Sequence, residues 1–514
     1  MVQLTTTERE IAAGSRGPAA AMALRIVADT ARLLGAGRLV AIASAHIDGC
    51  LYHGDSGTLF AERLVKDGGK VAVPTTLNVG ALDLLHAERV KLPPERAAMA
   101  RRMMDAYLKL DCRPTWTCAP YQAGHRPALG QHVAWGESNA VAFCNAVLGA
   151  RTERYGDFLD ICAAISGRAP ETGLHLDENR RPSLLVDCST LDRRLVAEEA
   201  FWPVLGAWLG ETAAGRVVAF TGLPAAIDED RLKAMGAAAA STGSVGLFHI
   251  EGVTPERFDR PREALKLEGS MLHAARDRLS TVRAREGDRV DAIAVGSPHF
   301  SIDEFRRLLG HLAGRKPAIP IYVCTGRHTL AEVERLGLDV SALTIVADTC
   351  IVVTPILPGD GGVLLTKGVA VDVGSMNYFY PRAGLSAAGK KFDTNEVYAA
   401  FTVGPLTAKL NQSLSNYFGL ANSVGSRYWQ LDGNLPVAPN LTLQAHVGRT
   451  KIAGFNVNDH TDYKIGASYA MQGWNLGAHW YTNTATHAGF EAANTLAGQQ
   501  LYKNALVVSA AKSF

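Results

Sequence analysis

The strongest periodicity in the chain runs from Ile319 to Pro355, IPIYVCTGRHTLAEVERLGLDVSALTIVADTCIVVTP. The short apolar runs IYV and LTIVA predict buried strands, and LAEVERLGL between them repeats its apolar positions at helical spacing. Each strand brings a cysteine to or just past its carboxyl end, Cys324 and Cys350. Ligands of open α/β sheets bind at such ends. The same rhythm fills the chain upstream. Residues 8–36 predict a helix punctuated by Gly and Pro near 14–18. RLVAIASAHI predicts a strand ending in a turn at Asp48, TLFAERLVKDG a helix, and KVAVPTTL a strand that opens into the loop Asn78-Val79-Gly80. VVAFTGLP, VGLFHIEGVTPE and DAIAVGSPHF predict further strands with Gly/Pro loops, and ILPGDGGVLLT a final hairpin or strand pair. Alternating strands and helices predict a mainly parallel α/β sheet.

Other stretches have a different character. Residues 93–107, PPERAAMARRMMDAY, predict a basic amphipathic helix whose charges form a solvated face. CRPTWTCAPYQAGHRP, with Cys112 and Cys118, has three prolines and no period, which predicts an ordered loop. WGESNAVAFCNAVLGART predicts an apolar helix with Ser138 as its N-cap and Cys144 packed inside it. His299, alone at a strand end, reads as a hydrogen-bonded loop residue. After Lys367 five segments alternate apolar with polar, or large with small, residues: VAVDVGSMNYFYP, EVYAAFTVGPLTAKLNQS, RYWQLDGNLPVAPNLTLQAHVGRT, YKIGASYAMQGWNLGAHWYT and NALVVSAAKSF. They predict about five to seven antiparallel strands of barrel type, with a soluble β-meander or sandwich as the alternative.

Composition sharpens this division. All eight cysteines lie at or before Cys350, whereas aromatic, Asn, Thr and Gly residues crowd the tail. The shift predicts a domain 1–367 and a β-rich segment 368–514. The cysteines are far apart in a 514-residue chain whose first thirty residues show no export signal. That argues for metal binding, catalysis or packing rather than disulfides, and for a cytoplasmic location. A net charge of +2 and a mean hydropathy of +0.03 give no reason to expect a nucleic-acid or anionic-membrane partner.

AHIDGCLYHGDSG, PTTLNVG, TWTCAPYQ, WGESNAVAFCNAVLGART, AVGSPHFS, YVCTGRH and ADTCIVVTPI occur in an order that identifies a family likeness. Residues 4–366 resemble the large, catalytic subunit or domain of aconitase X. The resemblance implies an aconitase-like fold and a hydro-lyase acting on a small hydroxy acid. The expected reaction removes water from cis-3-hydroxy-L-proline to give Δ1-pyrroline-2-carboxylate, with mevalonate 5-phosphate as the alternative substrate. It further implies that Cys118, Cys324 and Cys350 hold iron, as a [2Fe–2S] or [4Fe–4S] cluster or as iron alone. Substrate contacts carry over onto Gly49, Cys50, Leu51 and Asn78, and more weakly onto Ser138 and Asn139. Cys50 and Leu51 stand where phosphomevalonate-type relatives have other small residues, which favours an amino-acid substrate.

Two parts of the family pattern are missing. The small domain that carries the serine base is not recognisable, so the base is expected from a separate small subunit. Where the family continues into a Ser-Gly-Lys segment, this chain reads LLTKGVAVDVGSMNYFYP. Residues 368–514 instead resemble the C-terminal half of a TorF-family porin, terminal Phe514 included. The expectation is a chimaeric reading frame, with a non-catalytic chimaera carrying an outer-membrane porin fragment as the competing class. Without an export signal no membrane is expected as its site.

Overall fold

A computed structural model describes residues 2–279 and 290–357. In the C-terminal region it describes residues 369–378, 394–403, 405–417, 420–438, 440–471, 474–485 and 504–512. The chain forms two compact units, Met1–Val363 and Leu364–Phe514. Most of the expected ILPGDGGVLLT strand pair lies outside the described residues.

The first unit is α/β with parallel sheets, as the alternating pattern predicts. Its strands are β1 (Leu39–Ala41), β2 (Ala45–Ile47), β3 (Thr75–Leu77), β4 (Ala134–Trp135) and β5 (Arg168–Pro170), then β6 (Leu184–Asp187), β7 (Val218–Thr221), β8 (Phe248–Ile250) and β9 (Ala264–Lys266), and last β10 (Ile293–Phe300), β11 (Ile321–Thr325) and β12 (Thr344–Ala347). The three parallel sheets have the orders β3-β2-β4, β8-β7-β6-β9 and β10-β11-β12. β1 pairs separately with β5, antiparallel.

Two expected elements are each split in two, for local reasons. Residues 8–36 form helices Thr6–Ala12 and Pro18–Leu33. Gly14 and Gly17 between them have φ of +105° and +88°, which a helix cannot contain, and Pro18 starts the second helix. RLVAIASAHI becomes β1 and β2 in different sheets, because the Ile42 N–H bonds Gly167 O and the Ala43 N–H bonds His132 O.

Helix Pro94–Lys109 buries Ala100, Met103, Met104 and Tyr107 and leaves Arg101 and Arg102 exposed, as its amphipathic pattern predicts. Helices Phe201–Ala213 and Glu229–Gly243 pack at glycine distance. A Cβ on Gly206 would lie 2.1 Å from the Met235 carbonyl oxygen, so these backbones meet only without that side chain.

The third sheet sets the site. Cys324 pairs with Val346 and Thr325 with Ala347, so β11 and β12 end side by side. Beyond β12 the backbone turns at buried Asp348, with φ +61°. Arg327 clamps that carboxylate in a fork, with bonds of 2.8 and 2.6 Å, and the Gly80 N–H donates to the Asp348 carbonyl. Loop 78–80 and turn 348–350 are thereby fixed to each other.

The second unit is one antiparallel sheet of eight strands among the described residues: β13 (Val369–Tyr378), β14 (Thr394–Val403), β15 (Leu406–Ser413), β16 (Arg427–Ala438), β17 (Leu441–Lys451), β18 (His460–Met471), β19 (Trp474–Asn483) and β20 (Ala505–Lys512). Each pairs with its sequence neighbour. The expected five to seven strands become eight because three of the five segments each hold two paired strands. One face is apolar yet exposed: Phe401, Leu406, Trp429, Leu431, Val447, Ile465, Trp480 and Val508 are each more than a third accessible. The opposite face is polar and internally bonded, with His446 between Asp432 and Asp462 at 2.6 and 2.8 Å. No helix among the described residues is long and apolar enough to cross a membrane.

The helix contact yields a paired test. Gly206→Ala is expected to lower stability by about 1–3 kcal/mol through overpacking. Gly310→Ala, in an exposed helix position with nothing near its Cβ, is expected to raise it by about 0.5–1 kcal/mol. Chemical melts followed by circular dichroism should move in opposite directions for the two variants.

Candidate active site

Three segments converge at the carboxyl ends of β10, β11 and β12, and fully buried His299 ties them together. Its backbone N–H donates to Cys118 Sγ at 3.2 Å. Its Nδ1 lies 3.0 Å from Thr117 Oγ1 and its Nε2 3.1 Å from the Thr349 carbonyl oxygen. A carbonyl only accepts, so Nε2 carries the ring proton and Nδ1 accepts from the threonine hydroxyl. Burial pushes the imidazole pKa down to about 3, which keeps the ring neutral. The expected satisfied histidine is found, within β10 rather than in a loop.

Cys118, Cys324 and Cys350 are all buried, free thiols. Cys324 and Cys350 share an apolar cluster with Val346 and Ile356. Cys118 and Cys350 line one cavity of about 790 Å³. Every sulfur faces hydrogen-bond donors: His299 N–H for Cys118, Ile351 N–H for Cys324, and the Val352 and Val353 N–H groups with the Ser297 hydroxyl for Cys350. Burial outweighs these donors and pushes Cys324 up to about 12 and Cys350 up to about 11. Among the described residues no three His, Cys, Asp or Glu side chains are spaced to hold a metal ion.

Of the residues expected to contact substrate, Leu51, Asn78, Ser138 and Asn139 line this cavity. Gly49 and Cys50 do not; they build the turn beneath it. The Asp48 and Gly49 N–H groups donate to Asp160 Oδ2 at 2.7 and 2.9 Å, and Tyr107 Oη donates to Gly49 O. The Cys50 thiol turns inward, 3.4 Å from the Ile47 and Asn78 carbonyl oxygens. Asp160 is fully buried, and burial outweighs these backbone N–H donors and raises its pKa to about 7.

The N-cap of helix Ser138–Ala146 is Glu137, not Ser138. The Glu137 carboxylate reaches the N–H groups of Asn139 and Ala140 at 3.0 and 2.5 Å, a span beyond a serine already inside the helix. Pattern reading also passed over Asp48, Glu137 and Lys233, which line the cavity. Asp48 and Glu137 stood in the motifs HIDGC and WGESN, but Lys233 in DRLKAMG carries no local signal. Lys233, 1% exposed, donates to the His299 carbonyl at 3.2 Å and to Glu304 at 2.5 Å, and pairs with Asp230 at 3.1 Å. Asn78 Nδ2 donates to Asp48 Oδ1, whereas Asn78 Oδ1 has no partner among the described residues. Asn139 donates to Cys118 O and Tyr121 Oη, and its Oδ1 is likewise unpartnered. The cavity is thus lined by two asparagines, whose buried carbonyl oxygens lack a partner among the described residues, beside two carboxyl groups.

Burial, reinforced by the charge of Asp48, raises Glu137 to about 7. A carboxyl raised in the folded state contributes stability that is fully present below its unfolded pKa of about 4.3 and is lost as pH rises to about 7. The Glu137→Gln variant lacks this titration. Its melting temperature relative to the parent should climb between about pH 4 and 7 and level off above; a constant difference in a pH series of thermal melts would count against the shift.

Comparison with known proteins places the chain in a family. Family models described as the Aconitase X first, second and third domains match residues 1–178, 182–277 and 290–389. Each contains one of the three parallel sheets. A model described as a bacterial protein of unknown function (Gcw_chp) matches residues 361–514, overlapping the third domain. The chain is 38% identical over 382 residues to the cis-3-hydroxy-L-proline dehydratase of Pseudomonas aeruginosa, covering 71% of this chain and 65% of that protein. It is 35% identical to the enzyme of that name from Hypocrea jecorina, covering 76% of this chain and 66% of that protein. The chain thus spans just under two thirds of the length of both. It is 38% identical to the phosphomevalonate dehydratase large subunit of Methanothermobacter thermautotrophicus, covering 69% of this chain and 89% of that subunit. The crystal structure of Thermococcus kodakaraensis aconitase X in its holo-form superposes with a TM-score of 0.62 at 35% identity, over 69% of this chain and 90% of that one. With its three domain models in order and relatives of this identity covered almost end to end, the chain belongs to the aconitase X family.

Proposed function

We propose that the first unit is the large subunit of an iron-dependent hydro-lyase that removes water from cis-3-hydroxy-L-proline. The observation that carries the substrate choice is the polarity of the cavity. Asp48, Glu137 and Glu304 line it, together with Asn78 and Asn139. Lys233, the ammonium in that wall, is already taken by two carboxylates and a carbonyl. Such a wall suits a ring ammonium and a hydroxyl, both donors, and repels a phosphate. Mevalonate 5-phosphate is therefore the less favoured substrate.

Cys118, Cys324 and Cys350 would hold the iron group. Three thiols, each faced by N–H donors, suit an iron–sulfur cluster, which spreads its thiolates over several irons and so tolerates wider spacing than one ion does. When bound, the group supplies a Lewis acid for the leaving hydroxyl. Asn78 and Asn139 orient the substrate, and Leu51 closes the apolar side of the cavity. Glu137, raised toward neutrality, is able to hold a proton at a carboxyl oxygen while its helix position keeps it at the wall. The base for the carbon acid is assigned to a separate small subunit, consistent with the words "large subunit" in the names of several relatives.

The second unit has a reading of its own, a membrane-type barrel segment. What supports it is the inverted polarity of its sheet, apolar where exposed and polar where internally bonded, on strands of eight to twelve residues. The domain division at 367/368 is part of the same proposal.

Anaerobic co-purification with a candidate small subunit tests the first reading. The preparation should contain iron and sulfide, absorb in the visible and dehydrate cis-3-hydroxy-L-proline at least tenfold faster than mevalonate 5-phosphate. Cys324→Ala should lose the iron and the colour; unchanged iron would sink the ligand assignment. For the tail, vesicles of brominated phosphatidylcholine should quench part of the tryptophan emission of the full chain. That part should vanish in Trp429→Phe/Trp474→Phe/Trp480→Phe, which removes every tryptophan of the second unit, because Trp116, Trp135, Trp202 and Trp208 of the first are buried. Equal quenching in the variant would remove the lipid-facing reading.

A further inference from the structure

A second cavity, of about 770 Å³, lies away from the thiols, between the stretch 177–182 before β6 and the loop between β8 and β9. Six arginines line it against three carboxylates, Asp177, Glu256 and Asp259. The arginines fall into two layers with different tasks. Arg180 is buried and saturated: it forks onto Glu256 and donates to Asn145 Oδ1 and to the carbonyls of Asn145, Ala150 and Leu174. Arg151 is paired with Asp177 and Arg260 with Glu251. These three build the floor and walls. Arg181, Arg257 and Arg262 are exposed at the same cavity and form no ion pair among the described residues.

A buried histidine supplies an independent sign that something is to be bound. His249, 2% exposed, lines this cavity. Its Nε2 lies 2.9 Å from the Arg180 carbonyl oxygen, which assigns the ring proton to Nε2 and leaves Nδ1 as an acceptor. Nδ1 has no partner among the described residues. Burial lowers the pKa of this ring and keeps it neutral, so the open acceptor persists at neutral pH. An unfilled buried acceptor is costly, and with almost no accessible surface Nδ1 needs a small local opening before a donor from a bound molecule or its attached water relieves it.

We propose that this arginine-lined cavity is a binding site for a small polyanion, a phosphate or polycarboxylate carrying or ordering one O–H donor. Guanidinium groups match the oxygens of either anion in paired hydrogen bonds, and the cavity is of a size that encloses a metabolite. The site shares no lining residue with the thiol cavity, whose acceptor-rich wall selects the opposite charge.

Isothermal titration of the full-length chain at low ionic strength with inorganic phosphate, and separately with tricarballylate, tests this. One saturable site is expected for at least one of the two, and the stronger of them names the anion class. Arg257→Ser/Arg262→Ser should weaken it tenfold or more. Arg306→Ser/Arg335→Ser, an exposed pair elsewhere with the same charge change, should leave it within twofold. Saturation with neither anion, or equal weakening in both double variants, overturns the site. Both variant pairs change exposed side chains, and matching circular dichroism spectra would exclude misfolding as the cause of any loss.

Discussion

The candidate site depends on one buried imidazole. His299 is the point at which a strand end, a proline-rich loop and a post-strand turn are joined by three hydrogen bonds. Two of the three thiols sit next to, or at, the atoms it grips: Cys118 itself and Cys350 beside Thr349. Two further ties keep this junction rigid. Arg327 holds the turn through Asp348, and Lys233 holds the His299 carbonyl from a helix of the second sheet. In a low-dielectric interior each lost partner leaves a polar group or charge without compensation, at about 1–3 kcal/mol for the former and more for the latter. Such a network has one low-energy arrangement, which is what a multi-thiol site requires.

Around that junction, charge is sorted by place. The thiol cavity collects carboxyl groups and asparagine amides, and its ammonium is neutralised. The second cavity collects guanidinium groups around a neutral histidine. Both are lined mainly by segments outside the sheets, where backbone leaves the strands and side chains from several loops meet. The second unit sorts polarity in another way. Its carboxylates, histidines and amides pair with one another on one face of the sheet, so its apolar side chains are left to face outward.

Much of the architecture could be read along the chain. The α/β rhythm, the parallel sheets, the strands ending in Cys324 and Cys350 and the helix that buries Met103 and Tyr107 all follow from periodicity. Strand count and element ends were less legible. RLVAIASAHI divides between two sheets because partners distant in sequence, His132 and Gly167, take its N–H groups. Ser138 looks like a cap from its residue type, but Glu137 has the reach to meet two N–H groups from one position earlier.

The sequence by itself determined which chemistry was available: eight thiols confined to the α/β region, a family order of motifs, and a tail whose alternation demands antiparallel strands. Hydrophobic period and residue type are local properties, and local properties survive in a one-dimensional text. Only the tertiary structure decided which polar atoms stay unpaired. Gly49 and Cys50 belong to the supporting turn because Asp160, more than a hundred residues away, takes the Asp48 and Gly49 N–H groups. The carbonyl oxygens of Asn78 and Asn139 stay without a partner among the described residues, while Asp48, Cys118 and Tyr121 take up their amide hydrogens. Hydrogen-bond satisfaction is a sum over neighbours in space, so no stretch of sequence contains it.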